Sequence, residues 1–247
     1  MNHVSSTGIH DVSPRHDVPL LSIIVPVYNE APTVAAVVGR LLTIDLPVAR
    51  EIVVVNDGST DGTRDVLDSL PPVPGVLRVV HAPANAGKGS AVRRGFAEAR
   101  GTILAIQDAD LELDPAQLTR LVQPILDGRT RVVYGSRFLE GRPEAPWTTL
   151  VANRVLTAVT NLLFSARITD METCYKLMTA DVARSLRLEA NRFDIEPEIT
   201  ARLLRAGHGI LELPVRFEPR SRAQGKKIGW RDGVHAIAVL VRHRLRS

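Results

Sequence analysis

The sequence predicts an α/β protein: a doubly wound, mostly parallel sheet flanked by helices, with an amphipathic helix at its C-terminal end. Three observations carry this. Short apolar runs rich in Val and Ile alternate with helical patterns from residue 20 to residue 106, giving four strands separated by three helices. That order is the mark of parallel strands joined by right-handed crossovers. Each strand runs out into a polar cluster: Tyr28-Asn29-Glu30, Asn56-Asp57-Gly58, Asn85 to Lys88, and Asp108 to Glu112. Ligands of such sheets bind beyond the carboxyl ends of the strands. Finally, 247 residues with 45% hydrophobic and 23% charged content are enough for a full core and ordinary for a globular chain.

Taken in order, residues 1–18 are polar and without period, and they read as a mobile tail. Residues 20–28 form the first buried strand, and Val34, Val37, Val38, Leu41 and Leu42 give the following helix its apolar face. Glu51 to Asn56 is the second strand, and a turn through Asp57-Gly58-Ser59-Thr60-Asp61-Gly62 feeds a helix to about Leu70. Pro71 to Gly75 breaks the chain before a third strand at Val76 to His81. Asn85 to Ser90 opens a helix that runs to Arg100, and Thr102 to Ile106 is the fourth strand. Asp114 and Pro115 suit the N-cap and first position of the next helix, Gln117 to Leu126. A strand follows at Arg131 to Tyr134, then a long helix over 148–164. A polar bridge at 169–175 leads to a short strand at Lys176 to Met178, and a helix over 193–206 precedes a last strand at 211–217. Residues 19–217 read as one domain, and 218–247 as a basic loop and a terminal helix.

Composition narrows the function. One cysteine, Cys174, excludes an internal disulfide and a cysteine metal cluster. The first 18 residues lack the basic start and apolar stretch of a secretion signal, and no apolar run reaches the ~20 residues needed to span a bilayer. The expectation is a cytoplasmic protein, peripheral on the inner face of the membrane. The net charge of +4 is uneven: residues 216–247 carry +7 and the remainder −3. Such an end seeks an anionic partner. Aromatic content of 4%, with none in the basic cluster from Arg220 to Lys227, argues against nucleic acid as that partner.

The chemistry gathers where the fourth strand ends. Asp108, Asp110 and Glu112 stand at alternate positions and repel one another unless a cation lies between them. Mg2+ or Mn2+ held by carboxylates and substrate phosphates meets that need, whereas a lone Asp-x-Asp is more often a solvated turn. Four polar clusters at one edge favour the metal. Lys88, flanked by Gly87 and Gly89, can approach a diphosphate closely.

Together these segments resemble family 2 glycosyltransferases of the GT-A fold. The resemblance rests on Pro26-Val27-Tyr28-Asn29-Glu30, Val55 to Asp61, Asn85-Ala86-Gly87-Lys88-Gly89 and Asp108-Ala109-Asp110. Tyr134-Gly135-Ser136-Arg137-Phe138 is similar to the polyprenyl-phosphate sugar synthase branch, the dolichyl-phosphate mannose synthase type. The resemblance implies a nucleotide diphosphate sugar donor, bound by Pro26, Tyr28, Glu30, Asp57, Lys88 and Asp108. It implies Mg2+ or Mn2+ on Asp108 and Asp110, with Glu112 as third ligand where that branch usually has Gln. It implies a polyprenyl phosphate acceptor held by Arg137 and Arg154, with Asp110 and Arg137 catalytic. Arg222, Lys226 and Lys227 would form a lid over the diphosphate.

A lipid monophosphate is largely a dianion at neutral pH and needs cations rather than a strong base. A hydroxyl acceptor would need a base, for which Asp170, Glu172, Asp194, Glu196 and Glu198 are available. Asp170-Met171-Glu172-Thr173 departs from the Asp-Pro-Thr-Ser-Gly-like pattern of mannosyl members, so sugar and acceptor both stay open. A nucleotidyltransferase also pairs such a sheet with Mg2+, but wants a Gly-rich basic loop after the first strand. A non-catalytic binder would not need the Asp108/Asp110 pair. The terminal helix carries Trp230, Val234, Ile237, Ala238, Val241 and Leu245 as one stripe, flanked by Arg231, Arg242, Arg244 and Arg246. Either that stripe packs on the domain, or it lies on an anionic membrane surface.

Overall fold

The computed structural model describes residues 18–141, 143–219 and 230–245. The N-terminal tail, and Arg220, Arg222, Lys226 and Lys227 of the basic loop, lie outside these residues.

Strands β1 (Leu20–Val27), β2 (Ala49–Asn56), β3 (Leu77–His81) and β4 (Ile103–Ile106) alternate with helices α1 (Val34–Thr43), α2 (Thr63–Asp68) and α3 (Lys88–Glu98). A 3-10 turn at Pro115–Gln117 leads into α4 (Leu118–Leu126). Asp114 caps that turn, as its position before Pro115 predicts, by accepting from the Ala116 amide at 3.1 Å. Then come β5 (Val132–Ser136), α5 (Trp147–Phe164), β6 (Lys176–Thr179), α6 (Ala180–Ser185), α7 (Ile195–Arg205), β7 (Leu211–Pro214) and α8 (Trp230–Leu245). Seven strands form one sheet in the order β3-β2-β1-β4-β6-β5-β7. The predicted doubly wound α/β arrangement is present.

Leu21, Ile23, Ile24 and Val25 of β1 and Ile52 to Val55 of β2 are fully buried, because helices cover both faces of these central strands. At the amino end of the sheet Glu51 is buried and draws three neighbours together. It accepts from the Ser22 hydroxyl, from the Arg100 backbone and from Arg100 Nε, the last at 2.9 Å. Burial pushes its carboxyl up, but these donors outweigh burial and hold it below the ordinary value.

One strand departs from the parallel pattern in a way that builds the site. β6 lies antiparallel between β4 and β5, with Ala105 opposite Leu177 and Tyr134 opposite Lys176. Its start therefore lies at the edge where β4 and β5 end. The polar bridge 169–175 that feeds β6 is carried to the carboxyl edge. A parallel strand would have left it at the opposite edge.

The terminal helix packs on α5 and α7, though not by the expected stripe. Ala236, Val239 and Leu240 are buried, forming a second cluster with Leu156, Ile168, Met171 and Ala201. Val234, Ala238, Val241 and Leu245 face solvent, while Ile237 is half-buried. The helix is apolar on two faces, so periodicity alone did not say which one meets the core. The side chains of Trp230 and Arg231 lie outside the description.

Candidate active site

Beyond the end of β1, Tyr28, Asn29 and Glu30 are half-buried, and Asn29 takes a left-handed φ of 54°. Asn29 and Glu30 are tied to the turn after β2. Ser59 Oγ accepts from the Asn29 amide at 3.0 Å, and the Asn29 side chain accepts from Thr60 N at 2.8 Å. Thr63 Oγ1 accepts from Glu30 N at 2.9 Å. Asp57 is buried at the end of β2, and its carboxylate accepts from Asn85 Nδ2 at 2.9 Å and from Gly87 N at 2.7 Å. The predicted nucleotide-binding aspartate thus also pins the start of α3 to β2. The glycines beside Lys88 have a different occupant from the expected diphosphate. A Cβ on either Gly87 or Gly89 would collide with the backbone at Ala190 and Asn191. The Gly89 and Ser90 amides donate to Arg192 and Asn191 at 3.2 and 3.0 Å.

Lys88 itself points into the site. Its Nζ lies 2.8 Å from Asp108 Oδ1 and 2.9 Å from Glu196 Oε1 on α7. The second contact is an ion pair without hydrogen-bond geometry. Burial lowers the Lys88 ammonium, but Asp108 and Glu196 outweigh it and raise it well above its ordinary value. Burial raises the Asp108 carboxyl, and Lys88 more than reverses this, leaving it lowered. The cation that relieves Asp108 in this structure is therefore Lys88. Glu196 also pairs with Lys176, a fully buried lysine.

Asp110 Oδ1 accepts from the Glu112 amide at 3.1 Å. Leu111 between them has φ 62°, a left-handed conformation that a leucine adopts only when its surroundings impose it. That residue ends the alternate spacing on which the three-ligand expectation was built. Among the described residues, no group of three or more His, Cys, Asp or Glu converges to hold a metal. Two hard carboxylates on one loop still suit Mg2+ or Mn2+ when substrate phosphate oxygens complete the shell.

Arg137 follows β5 and is clamped. Its Nε and Nη2 donate to the two carboxylate oxygens of Asp170 at 2.7 Å each, and its backbone N donates to the same carboxylate at 3.0 Å. Asp170 is fully buried. Glu212 of β7 holds this loop in turn, accepting from the Thr169 and Asp170 amides at 2.7 and 3.0 Å. Arg154, exposed on α5, shares a ring with Arg137: each guanidinium carbon lies 6.0 Å from the centre of the Phe138 ring.

The candidate bases fare differently. Asp170 is consumed by Arg137 and Glu196 by two lysines. Glu198 accepts from the Glu189 and Ala190 amides and from Arg202, and Asp194 accepts from the Arg192 amide. Of the five, Glu172 and Glu196 each keep a buried oxygen, Oε1, without a hydrogen-bond partner, and that of Glu196 is ion-paired with Lys88. Burial first, then Glu196, raise the Glu172 carboxyl from 4.5 to about 7. Sequence reasoning missed Lys176 and Glu212. A lysine opening an apolar strand was the available signal for the first; nothing local marks the second. Two depressions of about 550 Å³ each open elsewhere, one beside Phe164 and Arg244 and one beside Asn191 and His235. Neither includes the carboxylate loop, so the candidate site rests on chemistry rather than on concavity.

The sheet order and the site at its edge are those of the GT-A fold. A solved structure of glucosyl-3-phosphoglycerate synthase from Mycobacterium tuberculosis, in complex with Mn2+, UDP and glucosyl-3-phosphoglycerate, superposes with a TM-score of 0.70. It does so at 18% identity, over 93% of this chain and 79% of that one. The chain belongs to glycosyl transferase family 2, whose model matches residues 22–187. Polyprenol monophosphomannose synthase of Mycolicibacterium smegmatis is 30% identical over 216 residues, 84% of this chain and 80% of that protein. Glycosyltransferase AglD of Haloferax volcanii is 30% identical over 207 residues, 81% of this chain, which spans only 33% of AglD.

Proposed function

We propose that this protein transfers a hexose from a nucleotide diphosphate sugar to a polyprenyl phosphate, with inversion at the anomeric carbon. The observation that carries this reading is the arginine pair, Arg137 and Arg154, at the edge that also holds Lys88 and the Asp108–Asp110 loop. One cationic group suits the diphosphate of the donor and the other suits a phosphate acceptor. Lipid phosphate mannosyl transfer in the name of the mycobacterial relative supports the same class of acceptor.

Pro26, Tyr28, Glu30 and Asp57 would bind the nucleoside, and Lys88 the diphosphate. Asp108 and Asp110 would hold Mg2+ or Mn2+, with Glu112 at the next reach of the loop. That ion, when bound, acts as a Lewis acid toward the leaving diphosphate. Arg137, locked by Asp170, would keep the acceptor dianion in line with the anomeric carbon, and Arg154 would add the second positive charge. An acceptor of this kind also calls for a membrane. Trp147, Val151, Val155 and Leu162 lie exposed on α5, the helix that carries Arg154. Val234, Val241 and Leu245 lie exposed on α8, packed beside it. No described helix is long and apolar enough to cross a bilayer. These faces suit contact with the surface of an anionic membrane.

A second reading has one specific observation behind it. Glu172, with its carboxyl near 7 and an unpartnered oxygen, is suited to act as the base for a hydroxyl acceptor. The deciding experiment supplies GDP-mannose or UDP-glucose with Mn2+ and offers either a polyprenyl phosphate or free sugars. Nucleotide release only with the lipid phosphate, and a β-linked product from an α-linked donor, are expected. Release only with the sugars would replace the first reading by the second.

A further inference from the structure

We propose that Glu172 recognises the hexose of the donor, its carboxyl taking a hydrogen bond from a sugar hydroxyl. The proposal rests on the transferase reading above and assigns a residue which that reading leaves unused.

The argument begins with what surrounds the side chain. Glu172 sits in the bridge 169–175, which the antiparallel course of β6 carries to the carboxyl edge. Its electrostatic neighbours are Glu196 and Asp170 on the acidic side and Lys176 and Arg137 on the basic side. Neither cation makes a hydrogen bond to Oε1 of Glu172. Lys176 Nζ donates to the Met171 carbonyl at 3.0 Å, to the Thr173 carbonyl and to Glu196, and an ammonium has three hydrogens. Arg137 spends its fork on Asp170. Oε1 of Glu172 is thus closed from solvent with no partner among the described residues. A buried carboxyl left in this state is costly, and folded chains keep such groups where a ligand completes them.

Position selects the ligand. The electrostatic neighbours of Glu172 include Arg137, at the proposed acceptor site, and Glu196, which pairs with Lys88 at the proposed diphosphate site. A carboxylate beside Arg137 repels a phosphate, so the acceptor dianion is the wrong partner for it. What lies between a leaving diphosphate and an incoming phosphate is the sugar itself, uncharged and rich in hydroxyl donors. A carboxyl facing that interval accepts a hydroxyl hydrogen without opposing either anion. It also discriminates, because a donor sugar without a hydroxyl at that place leaves Oε1 unpaired.

The test compares affinities rather than rates. UDP-glucose, GDP-mannose, UDP and GDP are titrated with Mn2+ into the wild-type chain, Glu172→Gln and Glu172→Ala. The expected result is an unchanged affinity for the bare nucleotide in all three. Affinity for the preferred nucleotide sugar should fall roughly 10- to 100-fold in Glu172→Ala. Glu172→Gln, which keeps an acceptor oxygen, should lie between. Among deoxy analogues of that donor, one position should cost the wild type affinity and cost Glu172→Ala none. The same ratio of sugar-nucleotide to nucleotide affinity in Glu172→Ala and wild type would overturn the proposal alone. So would a fall in turnover at unchanged donor affinity, which marks a base. A Glu172→Gln variant melting well below the wild type would also overturn it, by revealing a partner within the fold. A wild-type chain that binds none of the four nucleotides would overturn the transferase reading and this proposal with it.

Discussion

At the scale of the residue, the site is a set of charges each held by another. One oxygen of Asp110 accepts the Glu112 amide, while Lys88 pairs with Asp108. Asp110→Asn is expected to keep that hydrogen bond and the melting temperature while lowering transfer by about 100-fold or more. Near-normal turnover at saturating Mn2+ would remove the metal from this loop. Arg154 is a cleaner probe of the acceptor than Arg137, because it is exposed and its loss strands no buried carboxylate. Arg154→Ala should raise the acceptor KM about tenfold with donor affinity kept. Glu172 makes a prediction about stability. Its folded-state value of about 7 lies above its ordinary 4.5. Between those values the unfolded chain has lost a proton that the folded chain keeps, so stability falls as pH rises through the window. Glu172→Gln removes this fall. Relative to wild type it should gain as much as about 3 kcal/mol between pH 4 and pH 8 in denaturant melts.

Elements bring these residues together from far apart in sequence. Lys88 opens α3, Asp108 follows β4, Glu196 opens α7 and Lys176 opens β6. The opposite end of the sheet is closed by Glu51, which binds β2 to Ser22 on β1 and to the turn before β4. Glu51→Ala would leave Arg100 and the Ser22 hydroxyl without their acceptor and should cost about 3 kcal/mol of stability. The Glu51 carboxyl is held below its ordinary 4.5, so its contribution is complete above that pH and is lost as pH falls through the lower folded value. An acid melt in which wild type and Glu51→Ala lose stability in parallel would contradict this. The same element scale explains the terminal helix. Ala236, Val239 and Leu240 face α5 and α7, while Val234, Val241 and Leu245 are left outside.

For the whole molecule, α5 and α8, which pack together, each leave apolar side chains exposed. The basic end of the chain, +7 over residues 216–247, adds attraction to anionic lipid worth about 1 kcal/mol for each basic residue near the surface. The full chain is expected to sediment with anionic vesicles at low salt and to be released at high salt. Replacing Trp147, Val151 and Leu162 together by Ser should weaken sedimentation severalfold. Being exposed, these positions should change stability by less than about 1 kcal/mol. Unchanged sedimentation would exclude α5 from the membrane face.

The fold class was legible in the sequence because parallel strands buried on both faces must be apolar runs, and their polar exits must lie at one edge. The residues at the exits of β1, β2, β3, β4 and β5 are therefore legible in the sequence. Arg137 is legible from the likeness of Tyr134 to Phe138 to a known branch, and Arg154 from the likeness of an arginine in the helix that follows. The tertiary structure decided the rest. Strand direction is not written in a four-residue run such as Lys176 to Thr179; only its place between β4 and β5 made it antiparallel and carried Asp170 and Glu172 to the site. The left-handed turn at Leu111 carries no glycine to announce it, so in the sequence the alternate spacing of the carboxylates reads as three ligands beyond the end of β4. A helix apolar on two sides cannot declare which side is buried. Charges at positions 88, 108, 176 and 196 become one network only once the fold brings them together and burial removes water.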